Sequence, residues 1–125
     1  MGYYTTFAVT AQENGKEIDF SDSMKHELGK ITQEIDSTDI DELAEGYLNS
    51  KWYSYDSDFK LLSEKFPNII FTVTGQGEDN DDFWKHYFFN GKSQFAKGQI
   101  VYPQFDEKIL EDRIIPDNGA NQLNF

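Results

Sequence analysis

The sequence predicts an α+β domain: an antiparallel β-sheet, built from a C-terminal meander plus an N-terminal strand, with two or three helices packed mostly on one face as a ferredoxin-like variant. Three observations predict it. Residues 3–11, YYTTFAVTA, are β-branched and aromatic; residues 24–35 place apolar side chains at helical intervals; and Asn90-Gly91 divides two strand-like runs.

YYTTFAVTA alternates in part and forms the first strand. Asn14-Gly15, within 12–16, signals a turn. A helix then starts at Ser21 or Asp22, either of which can accept an orphan N–H of the first turn. Met24, Leu28, Ile31 and Ile35 share one helical face, and Gly29 weakens that helix by about 1 kcal/mol relative to Ala. A second helix is expected over 37–49, with Thr38 and Asp41 at capping-box spacing and Ile40, Leu43 and Tyr47 as its stripe. SKWYSY (50–55) is rich in strand formers. Residues 56–66 form a helix with Phe59, Leu62 and Phe66 on one side, stopped by Pro67.

NIIFTVTG (68–75), FWKHYFF (83–89) and KSQFAKGQIVY (92–102) then make three strands of a meander. A two-residue turn at Asn90-Gly91, where a type I′ geometry needs φ > 0 twice, pairs Phe89 with Lys92 and fixes every pair behind it. Trp84, His86 and Phe88 then share a face with Lys97, Phe95 and Ser93, the bulkier set, expected under the helices. Phe83, Lys85, Tyr87 and Phe89 point the other way, where the C-terminal segment around Ile109, Leu110, Ile114 and Ile115 is expected to cover the aromatics. Residues 106–115 predict a helical turn or two. The domain spans 1–113, and 114–125 form a loose tail.

With 125 residues the chain suits one domain with a modest core. Aromatics are 16 % of it, enough apolar bulk to fold despite a net charge of −12. The absence of cysteine removes disulfides and thiolate metal sites, and fits a reducing cytoplasm. MGYYTTFAVT has neither the basic nor the apolar region of a secretory signal, and no run approaches the roughly 20 apolar residues of a membrane span. The charge disfavours direct nucleic-acid binding and anionic membranes, both of which need Lys and Arg. An open aromatic sheet resembling an RNA-stacking platform is disfavoured for the same reason.

Catalytic and metal chemistry find little to stand on. GQGEDNDDFWKH lacks the ligand order of an EF-hand, which leaves at most a weak Ca²⁺ contact at Glu78, Asp79 and Asp82. His26 and His86 fall in different elements, without zinc-ligand spacing. No Ser sits in a nucleophile elbow, and Gly75 and Gly77 lack the rest of a dinucleotide motif. His86, on an apolar strand face, is expected as a hydrogen-bonded core residue. No catalytic residue, metal or cofactor is expected, and the chain is not expected to be an enzyme.

Acid distribution is the remaining signal. Glu34, Asp36, Asp39, Asp41, Glu42 and Glu45 form one cluster, Glu78, Asp79, Asp81 and Asp82 a second, and Asp106, Glu107, Glu111 and Asp112 a third. Converging on one side, the first two would attract Lys- and Arg-rich grooves. Pointing apart, they would only keep the surface solvated.

Residues 51–92 carry a resemblance. Lys51-Trp52, Leu62-Ser63, Phe66-Pro67, Phe71, Gly77-Glu78, Trp84, Tyr87 and Asn90-Gly91-Lys92 are similar to a pattern in small phage and mobile-element proteins, and in plan to the YubB-type ferredoxin-like domain. The likeness covers about a third of the chain and departs from that domain before residue 50 and after residue 102. It implies no catalytic residue. It does imply a mobile-element context, in which small acidic proteins bind host machinery, restriction and CRISPR effectors included. The expected function is therefore a non-enzymatic, DNA-imitating inhibitor in the bacterial cytoplasm. It binds a basic host protein that normally holds nucleic acid, through the ten acids of the first two clusters. The alternative is a general protein-interaction or small-ligand domain using the exposed aromatic face at Tyr87 and Phe89.

Overall fold

The computed structural model describes residues 2–111. β1 (Thr5–Glu13) turns at Asn14-Gly15 into the short β2 (Lys16–Ile18), and both turn residues have positive φ, 54° and 79°. α1 (Asp22–Ile31) follows, with the Ser21 hydroxyl accepting the Met24 N–H at 3.2 Å. α2 (Ser37–Glu45) leads to β3 (Leu48–Ser50), and α3 (Tyr55–Lys65) leads to the meander β4 (Ile70–Gln76), β5 (Phe83–Phe89) and β6 (Lys92–Lys97). All strand pairs are antiparallel. The order is β2-β1-β4-β5-β6, with β3 beside the start of β1. The chain is thus α+β, compatible with a ferredoxin-like variant.

Strand alternation divides the sheet cleanly. Phe7, Ala11, Phe71, Val73, His86 and Phe88 are buried on one face, under Met24, Leu28, Ile40, Leu43, Phe59 and Leu62 of the three helices. Aromatic edges knit this core: Trp52 meets Phe7 at 5.4 Å and Phe59 at 5.5 Å, and Phe59 meets Phe88 at 5.6 Å. The buried indole N–H of Trp52 donates to Asp58 at 2.8 Å, so neither polar group is left unpaired. Among the described residues the opposite face carries no helix.

Asn90 and Gly91 adopt φ of 49° and 80°, and the pairs Phe89↔Lys92 back to Trp84↔Lys97 match the expected register. Other expectations need correction. The capping box is Asp36 with Asp39 rather than Thr38 with Asp41, because the Asp36 carboxylate takes the Asp39 N–H at 2.9 Å. α2 stops at Glu45 where Gly46 ends it, so 47–49 are not helical and the strand falls on Leu48–Ser50. Trp52 sits in a loop. The last strand ends at Lys97 instead of 102, because its partner β5 begins at Phe83, whose carbonyl takes the Gly98 N–H at 2.8 Å as the last rung. Beyond it, among the described residues, a single 3₁₀ turn forms at Glu107–Ile109. Ile109 and Leu110 are exposed and do not cover the aromatic face. Ile114, Ile115, Asp112 and the expected tail 114–125 lie outside the described residues.

Candidate functional site

The loop of the second acidic cluster and Glu34 of the first are linked at the end of the sheet where β1 begins and β4 passes to β5. The loop 77–82 closes on itself, the Gly77 N–H donating to Asp82 O at 2.7 Å and the Asp82 N–H to Asp79 O at 3.0 Å. It then grips the segment ahead of β1. The Tyr4 N–H donates to Glu78 Oε2 at 2.7 Å, the Tyr3 hydroxyl donates to Asp82 Oδ2 at 2.6 Å, and the Asp79 N–H donates back to that hydroxyl at 3.2 Å. The short bond to Asp82 raises the Tyr3 pKa above the ordinary phenol value. Gly77 is required by this packing, because a Cβ would occupy the space of the Asp82 carboxylate and the Tyr3 hydroxyl.

The same segment reaches the first cluster. Tyr3 donates its N–H to the Tyr53 hydroxyl at 2.8 Å, and the neighbouring Ser54 gives its N–H and hydroxyl to Glu34 Oε1 at 2.8 and 3.0 Å. Glu34, at one end of the chain of contacts, and Asp82, at the other, therefore share one end of the molecule. Asp36 and Asp39 follow Glu34 directly at the start of α2. Asp56 is also near, since its charge and that of Asp82 both bear on Tyr55.

Not all ten acids serve alike. Asp36 and Asp39 cap α2 reciprocally, and Asp41 pairs with Lys25 at 3.2 Å. Lys25 also holds Asp22 at 3.3 Å, and the two carboxylates, Asp41 first, raise its pKa. Glu42 and Glu45 lie farther along the nine-residue helix, about 9 and about 13 Å along its axis from Asp36. The side chains of Asp79 and Asp81 are exposed and make no hydrogen bond or ion pair among the described residues. Lys51 and Lys97 are the bases nearby: Lys51 lies over the Tyr4 ring at 5.5 Å, and Lys97 approaches Asp81 O at 3.5 Å.

Behind the rim lies an aromatic group that sequence reasoning placed only in part. Trp84 stacks on Tyr55 at 4.9 Å, and Phe95 stands edge-on to His86 at 5.2 Å. The Tyr55 hydroxyl is 2.9 Å from His86 Nδ1. Burial pushes the Tyr55 pKa well above the ordinary phenol value, with Asp56 and Asp82 adding to it. His86 moves down, through burial first and Lys60 as well, against the pull of Asp56. The two groups share one hydrogen bond, whose direction follows the imidazole tautomer. His86 is a hydrogen-bonded core residue. Its partner Tyr55 was hidden because SKWYSY reads as a strand, whereas Tyr55 opens α3.

Tyr87 and Phe89 occupy the helix-free face, Tyr87 half-buried and Phe89 47 % exposed. Phe89 lies at the opposite end of the sheet from the acidic loop, beside the Asn14-Gly15 turn. Nearer the loop, the same face holds a cavity of about 450 Å³ lined by Thr74, Gln76, Phe83, Lys85, Ala96 and Gly98, among others.

Among the described residues no three His, Asp or Glu side chains are grouped to hold a metal ion, and no helix is long and apolar enough to cross a membrane. No protein-family model matches the chain, and no curated protein or solved structure matches it either.

Proposed function

We propose that the chain is a non-enzymatic, protein-binding inhibitor of phage or mobile-element origin, acting in a bacterial cytoplasm. Its acidic sheet end occupies a basic groove that normally holds nucleic acid, as in restriction or CRISPR-type defence proteins. The supporting observation is the chain of contacts from Glu34 through Ser54, Tyr53 and Tyr3 to Asp82, which links the first acid cluster, at Glu34, to the loop of the second. Carboxylates at fixed spacing present a preorganised anionic surface, so less ordering entropy is lost on binding than from a loose acidic loop. Asp79 and Asp81 are the free charges of that surface, while Glu78 and Asp82 hold its shape.

The test separates these roles. With the bound host protein in hand, Asp79→Lys with Asp81→Lys weakens the complex without lowering the melting temperature, and wild-type affinity falls with added salt. An unchanged complex removes the loop from the interface. A second assignment, a neutral-partner or small-ligand domain using the Tyr87 and Phe89 face, is favoured by that face's lack of any helix and by its 450 Å³ cavity. It requires binding that is indifferent to salt.

A further inference from the structure

Residues 99–111 leave the sheet at Gly98 and run exposed. Val101 and Tyr102 are 78 % and 81 % accessible, and Ile100, Phe105, Ile109 and Leu110 are also exposed. So much apolar surface on one segment marks a contact site. The chain carries a matching receptor. On β1, β4, β5 and β6 the helix-free face bears no carboxylate and two lysines, Lys85 and Lys92, in a protein of net charge −12. Its cavity has a mostly apolar floor of Phe83, Ala96 and Gly98. The segment is apolar first and acidic after, with Asp106, Glu107 and Glu111.

We infer that residues 100–111 of one chain dock on the helix-free sheet face of a second copy, and reciprocally, in a two-fold dimer. Ile100, Val101 and Tyr102 enter the partner copy's cavity, and the acids that follow face Lys85 and Lys92. Docking on the chain's own cavity is disfavoured by geometry. That cavity lies at Gly98 itself, whose N–H is held by Phe83 O at 2.8 Å. To reach it from Gly98, Val101 would have to reverse direction with Gln99 and Ile100, neither a turn former, at the two central positions. In a second copy the segment needs no reversal, and a self-complementary pair of surfaces closes without leaving a free site. The acidic rim is not required for this contact.

Sedimentation velocity on the full chain over a wide concentration range tests it. The wild type should approach twice the monomer mass, while Val101→Asp with Tyr102→Asp, or Thr74→Arg at the exposed wall of the cavity, should each weaken association by roughly tenfold or more. The substituted side chains are exposed, and circular dichroism checks that both variants fold. Mixing them should restore part of the association, because the intact segment of the Thr74→Arg chain finds the intact cavity of the other. A wild type that stays monomeric throughout, whether its segment is free or folded on its own face, overturns the inference. So does a dimer that neither variant weakens.

Discussion

Tyr3 joins the strand that opens the sheet to the loop that carries the acids. Its hydroxyl donates to Asp82 and receives the Asp79 N–H, while its backbone holds Tyr53. Tyr3→Phe removes the first two contacts and leaves the ring in place. Amide exchange at Tyr4 and Asp79 should then accelerate while exchange in the core strands stays unchanged; equal protection in both proteins would show that the hydroxyl does not hold the loop. His86 makes a second prediction. The folded chain keeps its imidazole neutral, so the unfolded chain takes up a proton first as pH falls. Stability is therefore fully present above about pH 6.5 and declines below it, as the unfolded-state histidine charges. His86→Gln should flatten the fall in melting temperature as the pH drops below about 6.5; a slope that survives the substitution belongs to another group.

At the scale of elements, α1 and α2 show local preference and tertiary packing deciding different things. A Cβ at Gly29 would meet only Ile40 Cδ1, at an ordinary 3.7 Å. Gly29→Ala should thus stabilise the protein by about 0.5–1 kcal/mol in urea unfolding. Asp36→Ala, which breaks the capping box, should cost about 1 kcal/mol, whereas Thr38→Ala should stay within about 0.5 kcal/mol. Equal effects would return the cap to Thr38. The box was misplaced by two residues because Asp36/Asp39 and Thr38/Asp41 have the same spacing, and a carboxylate at the N-cap also suits the helix dipole. The meander was legible because Asn90-Gly91 admits few geometries. β3 was not, although Gly46 was there as a helix stop, because three residues beside one strand leave no periodicity to read. The early end of β6 follows from where its partner β5 begins, at Phe83, and the apolar run QIVY beyond it gives no local sign that its partner is exhausted.

Across the whole molecule, charge and apolar surface are segregated. Acids gather at one end and along the helices, and the helix-free face keeps its lysines. The sequence showed where acids cluster along the chain, but not that Glu34 and Asp82 share a rim. That depends on partners as far apart as Tyr3 and Asp82, 79 residues along the chain. Nor did it show that Glu78 and Asp82 are spent holding the N-terminal segment while Asp79 and Asp81 stay free. A rim of fixed carboxylates on a basic groove implies binding that is electrostatic first. The most direct measurement is the salt dependence of affinity for a host protein captured on the chain, run beside Asp79→Lys with Asp81→Lys. Wild-type affinity should fall steeply from low to high ionic strength, and the reversed variant should bind weakly with a flatter dependence. Equal, salt-independent affinity in both would contradict the acidic end as the binding surface.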